Sequence, residues 1–322
     1  MSTNLNIRPQ DVSQRLSLDK LHAFEGLGYG MFIHYGMSTF VMNELPDGKH
    51  PPSTYAPTKL DVGQWISVAR DAGMKYAILT TKHVAGHCLW PSKLTDYTVA
   101  NSADKTDVVE KFVSACREKG VLPGFYYCSW DNHNRFGSKT PSDPDNDGSG
   151  TTSSYQTFQT AQLTELLTQY GPIAETWIDI PGILGRGYRT FLYGHIASLQ
   201  PDTVIMMNSG ISTQESYNVE YAWPSDIIAI ERSLPSAGGY NKVREIEGKN
   251  YYMPGEVCDP IGKDWFFVPG DLPRADKSLA DQFRACRAQG VNLLLDVPPD
   301  TTGQIPQEAV QALTRLRKNV GI

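Results

Sequence analysis

Apolar residues recur along this chain in two alternating periods. Short runs that are apolar on both faces read as strands: Met31-Phe-Ile-His-Tyr35, Tyr76-Ala-Ile-Leu-Thr80, Leu122 to Cys128, Thr176-Trp-Ile-Asp-Ile180, Val204 to Met207, Ile227 to Ile230 and the near-continuous Val291 to Val297. Between them the apolar positions fall three and four apart, the helical period. Val62, Trp65, Ile66 and Ala69 form one such face and Gly73 follows it. Val108, Val109, Phe112, Val113 and Cys116 form the next, with Thr106 as N-cap candidate and Gly120 as terminator. Tyr155, Phe158, Leu163, Leu166, Leu167 and Tyr170 make a third; Leu279, Phe283 and Cys286, then Ala309, Val310, Leu313 and Leu316, make the last two.

Strands apolar on both faces, alternating with helices, imply a parallel sheet covered on both sides. Seven or eight such units fit a single (β/α)8-like, TIM-type barrel over residues 1–322. A doubly wound open sheet is the rival, but Ile33-His-Tyr-Gly-Met37 is not the Gly-rich phosphate turn it would need. Three long polar loops, at about 41–57, 131–153 and 232–250, fall where a barrel builds its site. The middle one, rich in Ser, Gly, Pro and Asp, is the candidate for mobility.

The chain has 322 residues, 40% of them apolar, enough for a sizeable core. Its net charge of −6, with no basic run, argues against a nucleic-acid partner. No run of about 18 apolar residues predicts a membrane span. Five cysteines with no C-x-x-C pair fit buried thiols rather than a disulfide framework or zinc knuckle. With no secretory h-region at the start, the expectation is a cytoplasmic protein, or an exported one whose signal was removed.

Several motifs bear on chemistry. Asp143, Asp145, Asp147 and Gly148 match half a calcium loop, but Ser154 stands where its bidentate Glu should be. His83 and His87 are four apart, yet Gly86 lies between them and they follow a strand. Gly182, Gly185 and Gly187 have the wrong spacing for a phosphate fingerprint and read as a flexible βα loop. Asp179 carries more. It ends an apolar strand on the face of Trp177, where a bare buried carboxylate is costly. Glu231 and Glu256 follow the same logic. Paired carboxylates with aromatic platforms suit glycoside hydrolysis, and Tyr35, Trp90, Tyr126, Tyr127, Trp130, Trp177 and Trp223 fall near strand ends.

At these residues the chain resembles the α-L-fucosidases of glycoside hydrolase family 29. The resemblance is carried by Gly30-Met-Phe-Ile-His34-Tyr-Gly36, Trp65 with Ala72-Gly-Met-Lys75-Tyr76, Leu79-Thr-Thr-Lys-His83, Cys88-Leu-Trp90-Pro-Ser-Lys93 with Thr95-Asp-Tyr97, Gly124-Phe-Tyr-Tyr127, Trp177-Ile-Asp179, Pro254-Gly-Glu256 and Asn292-Leu-Leu-Leu295. It implies a metal-free, cofactor-free retaining double displacement on a glycan or glycoconjugate, with Asp179 as nucleophile. His34, His83, Tyr127 and Trp177 would bind the sugar ring, and Glu44 a hydroxyl. Trp90 and Glu256 join this substrate-binding set. Glu231 takes the acid/base role, with Glu256 as its competitor, and a retaining pair stands about 5–5.5 Å apart.

Two departures mark the chain. Val84 and Ala85 replace the usual His and Asp, opening α-L-galactose or a modified fucose as the sugar. The family's common C-terminal β-sandwich is expected to be absent. The rival classes are a non-catalytic sugar-binding barrel, and a metal-dependent isomerase or hydrolase using His83, His87 and Asp131.

Overall fold

A computed structural model describes residues 8–134, 152–210, 217–235 and 239–322. Its strands are β1 (Tyr29–Ile33), β2 (Tyr76–Lys82), β3 (Leu122–Cys128), β4 (Glu175–Asp179), β5 (Val204–Met207), β6 (Ile228–Glu231), β7 (Val243–Ile246), β8 (Lys249–Tyr252), β9 (Gly255–Pro260) and β10 (Asn292–Asp296). Eight of them form one sheet in the order β5-β4-β3-β2-β1-β10-β9-β6, every neighbouring pair parallel. This is a nearly closed (β/α)8 barrel, as the alternating periods predict. Helices Val62–Asp71, Val108–Lys119, Ser153–Gln169, Arg186–Leu199, Asp276–Gln289 and Gln307–Val320 flank it.

Two elements depart from the sequence reading. β9 is a strand that the apolar pattern misses, because Glu256 and Asp259 interrupt it and prolines bracket it. The polar stretch at 232–250 holds most of a hairpin, β7 with β8. Its turn places Glu247 and Gly248 both at positive φ, 53° and 76°, which suits the twist of a two-residue hairpin. A smaller correction concerns the helix at Val108. Asp107, not Thr106, caps it by accepting from the Glu110 N–H.

Alternation sorts the side chains into two cores. Phe32, Tyr76, Ile78, Tyr126, Trp177, Met206, Ala229, Cys258 and Leu294 fill the barrel. Their neighbours Met31, Ala77, Leu79, Phe125, Tyr127, Ile178, Ile205 and Val257 pack outward under the helices. All five cysteines are buried and free. Among the described residues no helix is long and apolar enough to cross a membrane.

β5 and β6 meet without a shared ladder, and polar side chains join them. Ser225 Oγ accepts from the Met207 N–H at 3.0 Å and Asp226 Oδ2 from the Ile205 N–H at 2.8 Å. Arg15 then reaches in from the N-terminal segment to Asp226 Oδ2 at 2.5 Å and to the Thr203 carbonyl at 2.6 Å. Backbone donors that a closed ladder would satisfy are thus met by side chains.

At the closed end the barrel buries two more carboxyl groups. Glu256 accepts from Tyr76 OH at 2.5 Å and from Trp177 Nε1 at 3.3 Å, and Glu175 lies beside it. Burial, and then the adjoining Glu256, holds Glu175 well above the carboxylate range. Burial also raises Glu256, to about 7, against its hydrogen bonds from Tyr76, Trp177 and Glu175. Acids whose folded values are raised stabilise the fold at low pH and lose that contribution as pH rises through the folded values. Glu175→Gln is therefore expected to raise the melting temperature at pH 8 more than at pH 5. Equal melting shifts at the two pH values would mean that burial does not raise the Glu175 carboxyl.

Candidate active site

The C-terminal ends of the strands converge on one mouth. There Asp179 ends β4 and Glu231 ends β6. Tyr126 OH, on β3, donates to Asp179 Oδ2 at 2.6 Å. Asn208, the first residue past β5, donates through Nδ2 to Asp179 Oδ1 at 2.8 Å and to Glu231 Oε2 at 3.2 Å. Those two bonds cap the separation of the bridged oxygens at about 6 Å. Burial first, and then the Asp179 charge, raises the Glu231 carboxyl above its usual range. The residues that follow both carboxylates are in left-handed backbone: Ile180 at φ 48° and Arg232 at φ 50°. For a β-branched residue such as Ile180 that conformation costs about 1–3 kcal/mol, and it turns the chain sharply beyond Asp179.

Aromatic rings wall the mouth. Trp177 and His83 each stack with Tyr126, with ring centroids 5.6 Å apart in both pairs. His34 meets His83 at 5.8 Å, Trp265 at 5.1 Å and Phe266 at 5.2 Å. Its Nδ1 faces Asp296 Oδ1 at 2.8 Å, and its backbone N–H donates to the same oxygen at 3.2 Å. Burial pushes Asp296 up to about 6, against the His34 ring beside it. Burial, and then the nearby His34, holds His83 well below the usual imidazole range, so that ring is neutral.

Asp179, Glu231, His34, His83 and Trp177 thus come together as the sequence reading groups them. Four others do not. Tyr127 is one residue out of phase: it points outward, accepting from Lys82 Nζ at 2.8 Å and donating to Gln162 at 2.8 Å. Tyr126 takes the inward place, because adjacent residues on a strand face opposite ways. Trp90 is buried against helix Ser153–Gln169, where Nε1 donates to Glu165 at 3.0 Å. Glu256 begins β9 rather than ending it, so its carboxyl lies at the closed end and competes poorly for an acid/base role at the mouth. Glu44 is exposed on the loop after β1, and it is its backbone, not its carboxylate, that meets the His83 ring.

The metal set of the rival reading is dispersed. A register shift between Thr80 and Lys82 sends Lys82 outward to Asp131 Oδ2 at 2.6 Å and leaves His83 facing the mouth. His87 turns instead to Ser102 Oγ at 2.8 Å and stacks on Tyr55. Among the described residues no group of three or more His, Cys, Asp or Glu is arranged to hold a metal ion. Asp143, Asp145, Asp147 and Gly148 of the half calcium loop, with most of the loop read as mobile, lie outside the described residues.

Sequence reasoning passed over Asn208, Asp296, Trp265 and Phe266, and named Tyr126 only among the aromatics. One signal could have found two of them. Asn208 and Asp296 are each the first polar residue after an all-apolar run, the position Asp179 and Glu231 hold on their own strands. Trp265 and Phe266 sit in the loop beyond β9, which no periodicity aims.

Known proteins resemble this chain in sequence and fold. The α-L-fucosidase family matches residues 47–320. Alpha-L-fucosidase 1 of Arabidopsis thaliana is 32% identical over 300 residues, 88% of this chain and 56% of that protein. The alpha-L-fucosidase of Dictyostelium discoideum is 23% identical over 258 residues, 80% of this chain and 53% of that protein. The chain spans about half the length of these two curated relatives. Among solved structures, alpha-L-fucosidase isoenzyme 1 from Paenibacillus thiaminolyticus has a TM-score of 0.75 at 26% identity, covering 92% of this chain and 74% of that one. The unliganded alpha-L-fucosidase AlfC from Lactobacillus casei, at 21% identity, shares the fold with a TM-score of 0.72 over 94% of this chain and 98% of that one.

The like-charge contact makes a prediction that needs no substrate. Asp179→Asn removes the negative charge beside Glu231 and is expected to lower the Glu231 pKa. NMR titration of ¹³C-labelled glutamate would read it, and an unmoved Glu231 resonance would mean that the two groups are not coupled.

Proposed function

The chain belongs to the α-L-fucosidase family, and we propose that it is an exo-acting α-L-fucosidase that cleaves terminal fucosides of glycans with retention. The observation that carries this reading is the pair Asp179 and Glu231 joined by one amide donor. A gap of at most about 6 Å between the two bridged oxygens suits a retaining pair at about 5–5.5 Å better than an inverting one at about 6.5–9.5 Å.

The two groups are differentiated as a double displacement requires. Asp179 receives two neutral donors, Tyr126 and Asn208, at the shorter distances. It is the carboxylate that attacks the anomeric carbon, and the leaving oxygen takes the proton from Glu231. The raised Glu231 carboxyl suits that proton donor. Glu231 then removes a proton from water as that water displaces Asp179 from the sugar. Trp177, Trp265 and Phe266 offer apolar faces to a 6-deoxy sugar, whose methyl stands where other hexoses carry a hydroxymethyl group, while His34 and His83 present ring nitrogens.

The test is hydrolysis of an aryl α-L-fucoside. Wild type is expected to turn it over. Asp179→Ala is expected to collapse the rate, with azide restoring turnover as fucosyl azide. Absence of wild-type turnover, with hydrolysis of the aryl α-L-galactoside instead, would replace fucose with that sugar. Binding without any turnover would favour the sugar-binding barrel. A companion pair separates the adjacent tyrosines. Tyr126→Phe removes a hydrogen bond to a charged group and is expected to lower kcat roughly 10- to 100-fold, a loss of about 1.5–3 kcal/mol. Tyr127→Phe is expected to lower the melting temperature and leave kcat within about twofold, since its hydroxyl binds Lys82 and Gln162 behind the sheet.

A further inference from the structure

Asn208 is the one neutral donor among the described residues that bonds both mouth carboxylates. Its place is built. Its backbone N–H extends the β4 ladder by donating to the Ile178 carbonyl at 2.9 Å. Ser209, next in the chain, reaches the Ala229 carbonyl of β6 at 3.4 Å. The side chain is therefore carried across the seam where β5 and β6 share no ladder. The amide cannot usefully flip. Its Oδ1 accepts from the Gly210 N–H at 2.8 Å, and reversal would set that oxygen against two carboxylates.

We propose that Asn208 is a positioning residue that serves the two carboxylates in turn, supporting Asp179 while it is the attacking anion and Glu231 once Asp179 is esterified. This rests on the fucosidase reading. In the first step a bond forms from Asp179 to the anomeric carbon, the bond to the leaving oxygen breaks, and the Glu231 proton goes to that oxygen. Asp179 is then a neutral ester and Glu231 is ionised. In the second step water bonds to the anomeric carbon, its proton goes to Glu231, and the Asp179–carbon bond breaks. Negative charge thus moves from one carboxyl to the other and back. The two amide hydrogens of Nδ2 already point at both, at 2.8 Å and 3.2 Å, so the shift needs little movement. A cationic donor would hold both groups ionised; the neutral amide follows whichever carries the charge.

Other groups also face Glu231. Asp179 and, on β9, Cys258 act on it or beside it, with Arg232 next in the chain, His34 just past β1 and Tyr221 in the short helix Val219–Ala222. None of these is removed in the test. The pH profile of kcat/KM on an aryl α-L-fucoside is measured for wild type, Asn208→Ala and Asn208→Asp, with Glu231 titrated by ¹³C NMR in each. Loss of the amide is expected to move the basic limb and the Glu231 titration upward by about 0.5–1 pH unit. The accompanying fall in kcat is expected to be roughly 10- to 100-fold. Asn208→Asp keeps the volume, should the alanine variant fail to fold, and its added negative charge is expected to move the limb further the same way. Wild-type turnover with an unmoved limb and titration in the folded variants overturns the proposal and leaves the fucosidase reading standing. No wild-type turnover overturns that reading itself.

Discussion

Two carboxyl groups enclosed in one barrel mouth repel if both ionise, and the arrangement around Asp179 and Glu231 answers that constraint. Tyr126 and Asn208 supply neutral donors to Asp179, while Glu231 is left with the longer of the shared bonds. In the proposed double displacement, that unequal support suits Asp179 as the attacking group and Glu231 as the proton donor. The rings of Trp177, His34, His83, Trp265 and Phe266 pack together along the same mouth.

That constraint reaches into the barrel wall. Asp179, Asn208 and Glu231 stand on or just past three strands, and two of those strands, β5 and β6, are not laddered together. Ser225 and Asp226 join them with side-chain oxygens, and Arg15 secures Asp226 from outside the barrel. The distance over which Asn208 spans the two carboxylates therefore depends on polar contacts made well below the mouth. Strained backbone at Ile180 and Arg232 belongs to the same design, ending each strand abruptly so that its carboxylate stands at the rim.

The opposite end of the barrel follows a different logic. Glu256 and Glu175 lie side by side there with Tyr76 and Trp177 as donors, and their protonated forms suit that dry interior. Trp177 links the two ends, its indole N–H on Glu256 and its ring against Tyr126. A carboxylate that by its surroundings in sequence resembles Glu231 thus occupies a structural place, because it enters its strand at the beginning rather than leaving it at the end.

Periodicity, together with the missing Gly-rich turn after the first strand, pointed to the barrel. All-apolar strands alternating with amphipathic helices have few other ways to bury both faces, and Asp179 and Glu231 were legible as carboxylates that an apolar strand end would not tolerate without a purpose. The resemblance in motifs added the role of each. What the one-dimensional pattern could not decide was phase and depth. Tyr126 and Tyr127 are equivalent in composition, and only the register of β3 turns the first inward. Glu231 and Glu256 both adjoin apolar runs, and only pairing β6 with β9 puts one at the open end and the other at the closed end. Asn208 gains its importance from lying between two strands that sequence separates by more than twenty residues. Which way a side chain faces, and how far along the barrel axis it sits, are properties of strand pairing, and pairing is settled only when the chain closes on itself.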